Sequence, residues 1–303
     1  MSCEIALSTM WAIGQFPSLA DFFKAGKGLG FARFELNHAV TSAMLDGLSL
    51  NGAITAVHEP CPADVSYPEI KRRNWLISAL DEEDRRQGLL ATKRSIDLAH
   101  ELGVRAVVVH PGRVDIDPTL ESALVDLYKA GKSNEPEYAL VKERLAAARA
   151  ARAGANMRSV RRSLIELAEH AARRGIRLGL ENRLRYHDIP LPDELDELLD
   201  LGLGDVVGYW HDVGHAQVLE HLGFHTHEEW LRRFAGPEGR LIGVHLHDVA
   251  GVTDHLAAGL GQIDWETVAP YLPAGALRTC EFKPFNTPQQ VATSLQWLVD
   301  REI

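Results

Sequence analysis

The stretch Val104-Arg-Ala-Val-Val-Val-His110, continued by Pro111-Gly112, decides how this chain is read. It is nearly all apolar, as a strand covered on both faces should be, and it stops at an imidazole. The same design recurs along the chain. GAITAVHEP stops at His58, IRLGLEN at Glu181, and VVGYWHDVGH at Asp212 and His215. LIGVHLHD stops at His245 and His247, and LRTCEFKP at Glu281. Imidazole and carboxylate are the ligands that a borderline divalent metal takes from protein. Core packing has little use for such residues at the ends of six β-like runs. A (β/α)8 barrel does, because its active sites are built where strands end and loops begin.

Working outward, EIALST (4–9) and FARFELN (31–37) read as two further strands, which makes about eight. Helical stretches alternate with them. Asp84–Leu102 places apolar Leu89, Leu90, Ile96 and Leu98 against charged Arg85, Lys93 and Arg94, with Gly103 placed to stop the helix. Later helices are expected near 192–201, 226–235, 264–271 and 287–300. Repeated β–helix–β order implies parallel strands joined by right-handed crossovers. The expected architecture is α/β: one (β/α)8 TIM barrel over 1–303. It carries a helical insertion after the fourth strand, at 113–160, above the barrel mouth. The insertion runs into the Ala/Arg-rich segment 137–174, with Gly154 as an expected break. A lid or an oligomer contact suits it. Its arginines read either as a solvated helix face or as a phosphate-binding one.

Composition agrees with a globular enzyme. The 303 residues are 46% hydrophobic and 24% charged, and 32 basic against 42 acidic residues leave a net charge of −10. An acidic chain is poorly matched to a phosphate backbone, although a local basic patch would still suit one. Cys3, Cys61 and Cys280 show no CxxC spacing and read as reduced thiols. MSCEIALSTMW lacks a charged-then-apolar leader, and no apolar run approaches the roughly 20 residues that span a bilayer. A cytoplasmic protein with no membrane partner is expected.

Single motifs are weaker than the set. Asp212-Val-Gly-His215 fits a pair of metal ligands, but also a helix cap beside a surface histidine. His245 and His247 alternate, so they should face the same way. Glu181 and Glu281 end apolar strands, where an unpaired carboxylate costs several kcal/mol. A metal answers that cost, as would an ion pair with Arg183 or Lys283. His255 precedes a Gly-x-Gly turn without the strand and ribose acid of a dinucleotide loop. Glu35, Trp11, Asn182, Arg183, His247 and Lys283 are expected to touch substrate. Asn37 could join Glu35 there, and Trp11, Trp210 and Trp265 near the rim read either as walls for a sugar ring or, equally, as plain packing. His38, His187, His227 and the remaining histidines read as surface or packing residues.

GLEN, HDVGHA, VHLHD, DHLAAGLGQIDW and EFKP, in that order, resemble the xylose-isomerase-like TIM barrels. That superfamily includes sugar isomerases and epimerases, inosose dehydratases and the endonuclease IV family of AP endonucleases. The resemblance implies a tetrad of Glu181, Asp212, His245 and Glu281 around one divalent ion (Zn, Mn, Mg or Co), with Glu181 and Glu281 catalytic. The endonuclease IV branch implies ligands for two more zinc ions at His58, His110, His215 and His255. The aspartate of that branch, two residues before His255, is Thr253 here. Two chemistries follow: isomerisation or epimerisation of a small carbohydrate, or multi-zinc phosphodiester hydrolysis. A non-catalytic metal-binding protein is a third. Homo-oligomers are common among the resembled proteins.

Overall fold

In the computed structural model, which describes residues 4–50, 52–235 and 240–303, the apolar runs pair edge to edge. The strands are Ile5–Ser8 (β1), Arg33–Leu36 (β2), Ile54–His58 (β3), Ala106–Val109 (β4), Arg177–Glu181 (β5), Val207–Asp212 (β6) and Leu241–Leu246 (β7). Asp248–Ala250 (β8) and Thr253–Leu256 (β9) form an antiparallel hairpin, and Leu277–Cys280 (β10) is the last strand. Strands β1 to β7 and β10 form a closed barrel, every neighbouring pair parallel, with β10 sealing the ring between β7 and β1. This is the (β/α)8 barrel that the strand rhythm predicts. Among the described residues, no helix is long and apolar enough to cross a membrane.

The period of two along each strand sorts the side chains. Val107, Val109, Leu178, Leu180, Val244 and Leu246 face the helices and join the main core. Ala56, Ala106, Val108, Trp210 and Ile242 face the barrel axis and form a separate cluster there. Trp210 fills this lower layer, and its neighbours are small to admit it. A Cβ on Gly243 would lie 2.4 Å from the Trp210 ring, and one on Gly179 would lie 3.0 Å from it. Two residues further along each strand, the same inward direction carries a ligand-type group: Ala56 is followed by His58, Val108 by His110, Gly179 by Glu181, Trp210 by Asp212 and Gly243 by His245. The barrel is therefore dry and packed below, polar above.

The insertion is built of helices Thr119–Lys129 and Pro136–Ala172. The second runs unbroken for 37 residues through Gly154, where a break was expected. A helical glycine costs only about 1 kcal/mol. Burial of Met157, Val160, Leu164 and Leu167 against the barrel outweighs it. The outer half packs on Thr119–Lys129 through Leu124, Leu145 and Tyr138. Its arginines are largely engaged within the chain. Arg149 is buried and forked onto Glu194 at 2.7 Å, Arg162 pairs with Glu82 at 2.6 Å, and Arg161 pairs with Glu197. The insertion braces the loop after β5: buried Glu121 accepts from Tyr186 N at 2.8 Å and pairs with His187 Nδ1. No residue of 119–160 lines the cavity at the mouth.

The lower layer generates a stability prediction. Trp210→Ala should cost about 3–5 kcal/mol by leaving a cavity, and Gly243→Ala about 1–3 kcal/mol by overpacking against the ring. Urea unfolding of both variants checks this; unchanged midpoints would contradict the layer assignment.

Candidate metal centre

Four strand ends deliver the tetrad. Glu181 ends β5, Asp212 ends β6, His245 lies in β7, and Glu281 follows β10 directly. One ligand atom from each falls within 4.8 Å of the others, and all four side chains are buried. His245 Nδ1 lies 2.8 Å from Glu181 Oε1, 3.4 Å from Glu281 Oε2 and 3.6 Å from Asp212 Oδ2. Three further groups of the same kind overlap it: His58, His110 and Glu181; Asp212, His215, His247 and His255; and Glu35, His58, His245 and Glu281. His110 Nε2 is 2.9 Å from Glu181 Oε2, and His58 and His110 meet through their Nε2 atoms at 2.6 Å. Glu35, expected as a substrate contact, lies deeper: its Oε2 is 3.2 Å from His245 Nε2.

The charges here are strongly coupled. Burial would raise the carboxyl of Glu281, but His245, His255 and His58 hold it well below the ordinary carboxylate range. Asp212 is held down against burial by His215 and His247. Burial would likewise lower His245, yet Glu281 and Glu35 raise it well above its ordinary value. His255 reaches about 9 against burial, through Asp254 and Glu281. Burial pushes His215 down to about 3, and burial with Arg183 depresses His110, so both stay neutral, the form that ligates metal.

The residues fit a divalent cation. Glu35 Oε1, Glu281 Oε1 and His58 Nδ1 are buried without a hydrogen bond, although His58 Nδ1 lies 3.2 Å from Glu281 Oε1. Their lone pairs converge on one space without serving each other. Carboxylate oxygens with imidazole nitrogens suit Mg, Mn, Co or Zn. The buried thiols Cys61 and Cys280 lie in the outer core, and Cys3 falls outside the described residues.

Several expected contacts turn out to be supports. Asn182 Nδ2 donates to Asp212 O at 2.9 Å, and its Oδ1 accepts from Asp212 N at 2.7 Å and Tyr209 Oη at 2.9 Å. It clamps the Asp212 backbone and is buried away from the mouth. His247 Nδ1 accepts from His255 N at 3.0 Å, so its Nε2 carries the proton and donates to Asp212 Oδ1 at 2.9 Å. Such a partner fixes the direction of a ligating carboxylate. Trp11 is 1% exposed and packs on Phe16 and Phe22, with its indole donating to Asn286 O at 2.9 Å. Trp210 lies in the barrel's lower layer, and buried Trp265 donates to Asp248 at 3.1 Å. None of these three tryptophans lines the mouth cavity. Arg183 contacts Glu181 and Lys283 pairs with Asp254, both at the mouth. Asp254, beside Thr253, joins none of the ligand groups.

Other residues at the site escaped the strand-end rule because they sit in loops and in a short helix between the strands. Tyr67, from helix Tyr67–Arg72, lies with its hydroxyl 2.9 Å from His110 Nδ1. Lys71, Arg185, Asp188 and His38 line the same cavity. The loops after β3 and β5 were visible in the sequence, but not which side chain turns inward. His211 and His227 form a buried pair, Nε2 to Nε2 at 2.9 Å, joined to Tyr209 behind Asp212. His227 is therefore interior, not a surface residue.

The family model for the xylose isomerase-like TIM barrel matches residues 54–301. The chain belongs to this family. No curated protein gives a significant match. Solved structures share the fold at low identity. A D-tagatose 3-epimerase-like protein is 20% identical at a TM-score of 0.67, covering 98% of this chain and 96% of its own. The apo 3-keto-D-glucoside 4-epimerase from E. coli is 19% identical at 0.62, covering 98% of both chains. An IolI protein with a bound zinc atom is 14% identical at 0.63, covering 99% of both.

Metal binding here should release a proton, because the strongly raised His245 holds one at neutral pH and a cation must displace it. Affinity should therefore rise with pH, by about tenfold per unit for each proton released. Calorimetry in buffers of different ionisation enthalpy reads this directly. Glu181→Gln should weaken binding; unchanged affinity in that variant would remove Glu181 from the ligand set.

Proposed function

We propose that this protein is a divalent-metal-dependent isomerase or epimerase of a small carbohydrate, with Glu181 and Glu281 moving the proton. The observation carrying the reading is the convergence of Glu181, Asp212, His245 and Glu281 beneath a cavity of about 210 Å³. A space below the roughly 300–1,000 Å³ of a drug-sized pocket suits a metabolite. The epimerase names of two fold neighbours support the same reading.

Held by the tetrad, a divalent ion would polarise a carbonyl and acidify the C–H beside it. The chain's own residues then handle the proton. Glu181 turns Oε1 to His245 and Oε2 to His110 and Arg183. Glu281 turns Oε2 to His245 and His255, and Oε1 to His58. Each glutamate thus has one oxygen for the tetrad and a second for proton exchange at carbon. For Glu281, the neighbouring His245, His255 and His58 favour the ionised form that a base needs. Arg183 and the half-exposed Lys283 stand where substrate hydroxyls enter.

A second reading, multi-metal phosphodiester hydrolysis, is favoured by one observation: His58, His110, His215 and His255 extend the ligand groups beyond the tetrad. Metal analysis and isotope exchange separate the two. The carbohydrate reading expects one tightly held ion per chain and deuterium from D₂O at the carbon beside the carbonyl of a turned-over ketose. His215→Ala and His255→Ala should leave a substantial part of that activity. Phosphodiester chemistry instead expects two or three ions, with those variants losing an ion and several powers of ten in turnover. Efficient cleavage of an abasic duplex, with no exchange on any ketose, would overturn the proposed function.

A further inference from the structure

Two cations at the barrel mouth have no anion of their own. Arg183 is engaged by Glu181 and Lys283 by Asp254. Among the described residues, Lys71 and Arg185 line the same cavity without an ion pair or side-chain hydrogen bond. Lys71 lies half-buried with its ammonium over the Tyr67 ring, 4.7 Å from the centroid. Arg113 crowds it further by donating to Lys71 O at 3.1 Å. Asp188 lines the same cavity and is already shared: burial would raise its carboxyl, but His187, Lys71, Arg183 and Arg185 lower it. One buried carboxylate thus faces several cations. A partly desolvated ammonium without a partner is costly, and an incoming anion relieves that cost.

The position is as informative as the charge. Tyr67, four residues before Lys71 on one helix, touches His110 at 2.9 Å. The cavity floor is His58, His110, His215, His255 and Glu281; its wall is Lys71, Arg183 and Arg185. A small molecule whose carbonyl reaches the floor sets its other end against that wall. We infer that the substrate is a ketose or keto-polyol carrying a carboxylate or phosphate away from its carbonyl, that group being held by Lys71 and Arg185. The inference rests on the carbohydrate reading for the sugar part and on the unpaired cations for the anion.

The test measures binding, so it does not depend on turnover. The metal-loaded protein is titrated, at constant ionic strength, with a pentitol phosphate, a pentonate and a neutral pentitol. At least tenfold tighter binding of one anionic probe than of the neutral one is expected, and the tighter anion identifies the group. Lys71→Met keeps the stem over Tyr67 and should lose about tenfold on that anion, with the neutral polyol and the metal content unchanged. Arg185→Gln, at an exposed position, should shift the same way and serves if Lys71→Met fails to fold. Equal affinity for all three probes, no binding of either anion, or a preference surviving in both variants would overturn the inference. Proton exchange on neutral ketoses without anion preference would sink it while leaving the isomerase reading intact. Anion preference with no exchange on any ketose would sink the isomerase reading and, with it, the ketose part of the inference, leaving only the anion site at Lys71 and Arg185.

Discussion

Four carboxylates, those of Glu35, Glu181, Asp212 and Glu281, are buried together at one end of a closed barrel. Much of the site's remaining structure answers that constraint. Such charges persist in a low-dielectric site only if a cation shares it. The chain supplies part of the compensation itself, through His58, His245 and His255, whose raised basicity is the imprint of the surrounding acids. A divalent ion is the more compact answer, and the unsatisfied lone pairs of Glu35, Glu281 and His58 mark where the answer is incomplete.

Holding such a cluster in place demands a stiff support. The lower layer provides it: Trp210 occupies the axis, its ring 5.2 Å from that of His245, and glycines on both neighbouring strands make room for it. A second support lies behind the wall. Asn182 fixes the Asp212 backbone, His247 fixes its carboxylate, and Tyr209 links Asn182 to the buried pair His211 and His227. The insertion supports the site from outside, since Glu121 and Arg149 hold the loop after β5 that carries Arg183 and Arg185. Its length serves bracing more directly than covering.

The fold was legible because strand burial on both faces leaves a simple trace. Runs such as Ala106–Val109 and Leu178–Leu180 are apolar throughout, and the inward parity places each terminal ligand one step above the packed layer. The acids and histidines at the strand ends were legible for the same reason, whereas the choice of Glu181, Asp212, His245 and Glu281 among them came from the resemblance to the xylose-isomerase-like barrels. Gly154 misled, because local propensity is weak against tertiary burial in the long helix Pro136–Ala172. The tryptophans misled too: aromatic character tells that Trp11, Trp210 and Trp265 prefer burial, not which surface buries them.

By itself, the sequence determined the barrel, the order of its strands and which residues stand at the strand ends, because these depend on periodicity along one chain. Only the tertiary structure decided which of them converge and which are held by hydrogen bonds to their neighbours. Asn182 and His247 share the rim with Glu181 and His245, yet their polar atoms are taken up by partners about 30 and 35 residues away. Tyr67 and Lys71 come from a short helix and Arg185 from a loop, with no strand period to read, and their direction follows from what packs around them. Hydrogen-bond satisfaction and charge neighbourhood are properties of the folded ensemble of strands, and no spacing along a single chain encodes them.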